Sequence, residues 1–444
     1  MKWLKRILFL LVIIIVLVII ENYPKLNIIS GYASKYMASS VLIGNQMPAT
    51  INSQDLNVPL INLTTTNFDK DKGFGMSNIY GLMERKAVDR QGLGAVLVND
   101  DYKPGRPYLQ PKREQRFDSV PYPFGHLPAK DTVFPEIDYD QLNQAVSLPF
   151  GNAQIQKTRT LLVLYKGHLI HENYVDGFTQ DTRVLGWSMT KSILATLYGI
   201  LEHQGKLQVN TPAPVREWAE DDRKNITLNH LLRMESGLEW DETYDKISDA
   251  TKMLFLDSDM TQSQKEKEAI AAPTEVWNYS SGTTNLLSGI LRQQFRTHQD
   301  YLDFPYAALI DKVGANSMII EADLEGNYVA SSYAWATTRD WGRLGQLYLN
   351  HGNWNGEQLF SEQWVDYVTE PTLNSDGTYG AHFWLNSEGI YPDVPKDLYS
   401  MNGYQGQYVF IIPSKDLVVV RTGLAEFPEF DVNGFLAALV KAIE

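Results

Sequence analysis

The sharpest hydrophobic contrast in the chain lies at its start. Ile7 to Ile20 is an unbroken apolar run, preceded by Lys2, Lys5 and Arg6 and followed by Glu21-Asn22. The run is short for a spanning helix and suits the apolar region of a signal peptide. No small-x-small cleavage site comes before Gly31-Tyr32-Ala33. The pattern therefore predicts an uncleaved signal anchor, or a signal peptide, over residues 1–21. Either places the basic end in the cytoplasm and the rest outside. Residues 22–133 carry only short apolar pieces ("SSVLIG", "LGAVLVND") among Pro-rich stretches. They read as an irregular N-terminal region packed on the remainder of the chain.

From residue 134 the periodicities sharpen. "TRTLLVLYKGHLIHENYV" is two apolar runs about Lys166-Gly167, a β-hairpin pattern. In "VLGWSMTKSILATLYGIL" the apolar residues Ile193, Leu194, Leu197, Ile200 and Leu201 recur at helical spacing, and Gly205 closes the run. "ITLNHLLRMESGL" predicts a short helix started by Thr227 and stopped at Gly237, and "TTRDWGRLGQLYLNHG" one ending at Gly352. "GQYVFIIPSKDLVVVRTG" is a second hairpin, turning at Pro413–Asp416, and "DVNGFLAALVKAIE" a closing amphipathic helix. Hairpins near both ends with helices between and after them predict one α+β domain over 134–444, an antiparallel sheet plus a helical lobe.

Composition narrows the functional classes. The net charge of −14 comes with no Lys/Arg-rich block outside the N-terminus, which argues against a nucleic-acid partner. There is no cysteine, hence no disulfide framework and no thiol nucleophile. The eight histidines form no ligand pattern, so neither a metal nor another cofactor is expected; His168 and His171 are assigned to opposite faces of one strand. No Gly-x-Ser-x-Gly elbow is present, which disfavours an α/β-hydrolase.

The chemistry concentrates at Ser188-Met189-Thr190-Lys191. At a helix start, positions i and i+3 lie one turn apart on one face, so the lysine amine reaches the serine hydroxyl. A serine needs such a base to become a nucleophile, and a helix N-terminus favours developing negative charge. Alone, the tetrapeptide is equally an N-cap serine and a surface lysine. Two further segments change its weight: Tyr279-Ser280-Ser281-Gly282 ahead of a helical run, and Tyr404-Gln405-Gly406 leading into the last hairpin.

With these three segments in this order, roughly residues 135–444 resemble the serine β-lactamase / penicillin-binding-protein superfamily. The likeness is greatest to its class C-related branch of family VIII esterases, 6-aminohexanoate-dimer hydrolases and D-amino-acid-releasing peptidases. The family pattern is Ser-x-x-Lys, then Tyr-x-Asn, then Lys-Thr-Gly or His-x-Gly on a strand beside the nucleophile. The resemblance implies a β-lactamase-like fold with Ser188 as nucleophile. Tyr279, as phenolate or through Lys191, would take the serine proton. The oxyanion would be held by the backbone N–H groups of Ser188 and Gln407, and substrate would meet Tyr404, Gln405, Gly406 and Ser281. A phenolate at ordinary pH needs a neighbouring cation, and Lys191 is the one these motifs supply.

Two departures matter. Ser281 stands where the family has asparagine, with Asn285 one turn on as a substitute. Tyr404 stands where it has lysine or histidine, so a cation that would greet a substrate carboxylate is missing. The expectation is a membrane-tethered serine hydrolase, periplasmic or extracellular, that forms an acyl-enzyme on small esters or amides. A D,D-peptidase or β-lactamase of the cell wall is the alternative enzyme, and a non-catalytic envelope binding protein the alternative of another class.

Overall fold

A computed structural model describes residues 2–443; within its first helix the side chains of Lys2, Leu4, Ile15 and residues 18–21 fall outside that description. The central element is a six-stranded antiparallel sheet. Its strands are β5 (Thr158–Tyr165), β6 (His168–Tyr174), β7 (Trp384–Leu385), β8 (Tyr399–Gly403), β9 (Gln407–Ile412) and β10 (Leu417–Gly423). Their spatial order is β7-β8-β9-β10-β5-β6, so the two hairpins expected from the sequence join at the β10–β5 pair, with Val419 opposite Val163. The β5–β6 turn has φ 47° at Lys166 and 70° at Gly167, the paired left-handed geometry that two-residue hairpins favour.

Every residue of β5 is buried, because both sheet faces are covered. Leu161, Val163 and Phe410 pack with the helices α2 (Tyr139–Ser147) and α6 (Val432–Lys441). Leu162, Leu164, Val409 and Val418 pack with α3 (Met189–His203) and α5 (Thr338–Leu349). The alternation follows from the two-residue period of a strand. Helix α5 lies so close to the sheet that a Cβ on Gly345 would sit 2.5 Å from Val418 Cγ1. The helical lobe between α3 and α5 contains α4 (Ser281–Gln293) and the short helix Leu228–Leu232. Thr227 caps the latter as expected, but it ends five residues before Gly237. One antiparallel sheet with helices on both faces and a helical lobe is the α+β arrangement expected from the sequence.

The N-terminal region departs from its expectation. Residues 22–133 are not irregular throughout. Helix α1 runs without a break from Lys2 to Leu42, and a four-stranded antiparallel sheet comes after it: β1 (Thr64–Asp69), β2 (Phe74–Ile79), β3 (Leu82–Arg90) and β4 (Gly94–Leu97). The later turns of α1 cross this sheet. Ala33, Met37 and Ala38 join a core that also holds Leu185, Trp240, Leu254, Phe255 and Trp335 of the catalytic region. Two buried ion pairs fasten the layers. Lys35 Nζ lies 2.6 Å from Glu321, which also accepts from Ser39 Oγ at 2.8 Å and Trp335 Nε1 at 3.1 Å. Arg159 meets Asp55 at 2.5 Å, and Tyr36 donates to the same carboxylate at 2.5 Å. The short apolar pieces give little sign of this, because β1 and β3 mix buried with exposed positions and β4 is only four residues long.

The anchor expected over residues 1–21 finds no support: among the described residues no helix is long and apolar enough to cross a membrane. Part of that stretch, Met1 and the side chains named above, lies outside the description. Ile7–Ile20 is 14 residues, about 21 Å of helix against a hydrocarbon core of about 30 Å. Leu8, Phe9, Leu10 and Leu17 are nonetheless exposed, at 58–67 % of full accessibility.

Candidate active site

Ser188 stands at the N-terminus of α3, just after a strained turn: Trp187 has φ 48°, left-handed for a bulky residue. The turn is pressed against the end of β8. A Cβ on Gly403 would fall 2.1 Å from the Gly186 carbonyl oxygen, so only glycine lets that strand come alongside the nucleophile turn. Ser188 makes no capping bond to its own helix, which leaves its hydroxyl free for other partners.

Those partners are the residues expected from the motifs. Lys191 Nζ donates to Ser188 Oγ at 3.0 Å, to Ser281 Oγ at 3.0 Å and to the Ser331 carbonyl at 2.9 Å. Tyr279 lines the same end of the cavity as Ser188. The Lys191 ammonium also sits over the Tyr279 ring, 4.8 Å from its centroid. Lys191 is 1 % exposed. Burial pulls its amine down to about 8, against the opposing charge of Glu242. Burial and the Glu242 charge push the Tyr279 phenol up, and the Ser188 hydroxyl opposes them.

Ser281 does what an asparagine could not do in the same way. Its hydroxyl accepts from Lys191 and donates to Glu242 Oε1 at 2.5 Å, while its N–H donates to Oε2 at 2.8 Å. Trp240 Nε1 and Tyr244 OH hold the same carboxylate at 2.5 and 2.7 Å. Asn285, the expected substitute, does not bond to Lys191; its Oδ1 accepts from Ser331 N at 3.1 Å and so fixes the carbonyl that does.

The third motif divides. Tyr404, 39 % exposed, borders the cavity beside Ser188, edge-on to Trp187 at 5.7 Å and stacked on Tyr244 at 6.3 Å. Gln405 and Gly406 form the tight turn behind it, both at positive φ, and are absent from the cavity lining. The Gly406 carbonyl accepts from Arg421 at 2.7 Å, and Arg421 is fully buried. Gln407 opens β9 and directs its side chain to the Gly423 carbonyl at 2.7 Å. Only its backbone amide is left to face an oxyanion.

Ser188, Tyr279, Gly403 and Tyr404 form one end of a cavity of about 880 Å³. Two other cavities, of about 20 and 10 Å³, have room for little more than water. Glu242, Tyr244 and Ser331 escaped the sequence reading. "GLEWDETYDK" looks like any acidic surface loop, and nothing in it signals that one of its carboxylates turns inward.

A protein-family model described as Beta-lactamase matches residues 155–435. The chain belongs to the β-lactamase family. Within the serine β-lactamase and penicillin-binding-protein superfamily it is 25 % identical over 320 residues to the 6-aminohexanoate-dimer hydrolase of Paenarthrobacter ureafaciens, covering 65 % of this chain and 78 % of that one. Its fold superimposes on a penicillin-binding-protein homologue from Caulobacter crescentus with a TM-score of 0.55 at 16 % identity, covering 71 % of this chain and 100 % of that one. A family VIII carboxylesterase gives 0.50 at 14 % identity over 71 % and 99 %. By family this β-lactamase-related chain is a serine hydrolase. The family match leaves α1 and β1–β4 outside it.

Proposed function

We propose that the protein cleaves esters or amides through an acyl-enzyme on Ser188. The observation that carries this is the 3.0 Å contact from Ser188 Oγ to a buried amine at about 8. A base tuned near working pH both exists in its neutral form and drives proton transfer.

The steps follow from the partners. Neutral Lys191 takes the proton as Ser188 Oγ attacks the acyl carbon. The new ammonium is held by the Ser331 carbonyl and, through Ser281, by the Glu242 carboxylate. The oxyanion faces the N–H groups of Ser188 and Gln407 at the start of α3 and β9. Collapse expels the alcohol or amine, which carries off the Lys191 proton. Water then attacks the acyl carbon, its proton passing to Lys191, and the released carboxylic acid leaves Ser188 protonated again. Tyr279 acts in its phenol form, donating its one proton's hydrogen bond to the leaving group. The phenolate implied by the family resemblance is disfavoured here, because burial and Glu242 both act against it.

The names of the relatives support ester or amide cleavage: one is a 6-aminohexanoate-dimer hydrolase, another a family VIII carboxylesterase. Tyr404 in place of a cation supports neutral substrates over carboxylated β-lactams. The basic flank before the apolar run supports an extracytoplasmic location, testable by protease accessibility in intact cells. The central test is labelling by a fluorophosphonate probe together with hydrolysis of p-nitrophenyl butyrate. Both are expected in the wild type and neither in Ser188→Ala; an unlabelled wild type would reject the reading.

A further inference from the structure

The cavity is far larger than the reaction at Ser188 requires. At about 880 Å³ it lies toward the upper end for small-molecule sites. Away from Ser188 its walls are mostly apolar: Ile28, Ile29 and Tyr32 of α1, with Leu60 and Ile61 after it, add a side from outside the family region to Ile247, Leu254 and Phe255 of the helical lobe. The charged lining residues, among them Lys25 and Lys246, are few beside these. Leu60 is held at φ 69° and 51 % exposed, an apolar side chain kept at the cavity by a strained turn. The buried ion pairs at Lys35 and Arg159 fix this wall relative to Ser188. A wall so fastened, and apolar over most of its surface, favours a hydrocarbon chain.

We propose that the substrate carries a long aliphatic acyl chain, seated between α1, the Leu60-Ile61 turn and Phe255 while its carbonyl meets Ser188. This rests on the acyl-enzyme reading and names its substrate class. Transfer of one methylene out of water is worth about fourfold in binding. Chain lengthening within the cavity therefore raises kcat/KM until the chain fills it.

The experiment uses the full-length chain and p-nitrophenyl acetate, butyrate, octanoate and dodecanoate, with fluorophosphonate labelling of Ser188 on the same preparation. The expected result is a rise in kcat/KM of at least tenfold from acetate to octanoate or dodecanoate. In Ile29→Trp, which fills the cavity, the dodecanoate-to-butyrate ratio is expected to fall about tenfold. A labelled enzyme with a flat or falling series overturns the chain site and leaves the hydrolase reading standing. A wild-type ratio in Ile29→Trp overturns the placement. An unlabelled Ser188 with no ester cleaved overturns both. Free amphiphiles and bilayer lipids share this chain; faster turnover of dodecanoate from solution assigns the first source, and faster turnover from phosphatidylcholine vesicles the second.

Discussion

Lys191 sits over the ring of Tyr279, 4.8 Å from its centroid, while its Nζ donates to Ser188 at 3.0 Å. The cation therefore meets the face of the aromatic ring, an attractive but weak contact. The phenol rises under burial and the Glu242 charge, and the amine falls under burial. In the proposed mechanism the pair divides its roles, amine as base and phenol as donor.

The three motif residues act on one proton, so each single removal is expected to be nearly complete. Ser188→Ala should lower kcat for p-nitrophenyl butyrate by about 10³-fold or more, and Lys191→Ala by a similar factor. Tyr279→Phe should lose less, about 10²-fold, if it only donates. Steady-state kinetics on the three variants checks the order. Wild-type rates in Ser188→Ala would refute the mechanism.

The wild-type pH profile has a definite sign. The base must be neutral, and Lys191 titrates at about 8. Below that pH its neutral fraction falls tenfold per unit. Log kcat/KM should therefore climb with unit slope toward pH 8 and level off above it. A profile that instead falls from pH 6 to 8 would point to a protonated catalyst.

Glu242 touches Ser281 rather than the nucleophile, and it holds the Lys191 amine up against burial. Glu242→Gln keeps a hydrogen-bonding group and removes the charge. The inflection in kcat/KM should move below 8, with more activity retained at pH 6 relative to the plateau. If the residue served structure alone, rates would drop with the inflection unmoved.

Tyr404 borders the cavity as a neutral donor. Hydrogen bonds to charged groups contribute roughly 1.5–3 kcal/mol against about 1 for neutral pairs. The enzyme should therefore favour p-nitrophenyl butyrate over nitrocefin and benzylpenicillin, and Tyr404→Lys should move the ratio toward the β-lactams by about tenfold. An unchanged ratio would show that this side chain does not meet the substrate.

The Lys35–Glu321 pair is buried on both sides, with side-chain exposures of 8 % and 1 %. Removing one partner strands a charge, which costs about 3–5 kcal/mol. Glu321→Gln should lower the urea midpoint accordingly. A loss below about 1 kcal/mol would mean that α1 is held by its apolar contacts alone.

The catalytic region was legible because its signals are local. Both hairpins, α3 and its Ser188-Lys191 spacing, α5 and α6 follow from periodicity and turn residues within short windows. What stayed hidden depends on distant partners. Glu242 becomes a site residue only when the loop after the short helix Leu228–Leu232 folds onto Ser281. Strands β3 and β4 meet the core through small residues such as Ala87 and Ala95, which carry little hydrophobic signal. The apolar run of α1 invited a membrane reading; the more polar half beyond it, with Ser34, Lys35 and Ser39 all buried, shows α1 to be a core helix at that end.

Helix α1 also bears on where the protein can be cut. Processing after Ala33, at the small-x-small site nearest the apolar run, would part the helix at a residue of zero exposure and carry Ile28, Ile29 and Tyr32 away from the cavity. A fragment starting at residue 155, where the family match begins, would lay bare Trp187, Leu254, Phe255 and Trp335. The border of common ancestry and the border of the smallest folding unit thus fall in different places along this chain. An expression fragment designed on the first would lack the α1 and Leu60-Ile61 side of the cavity.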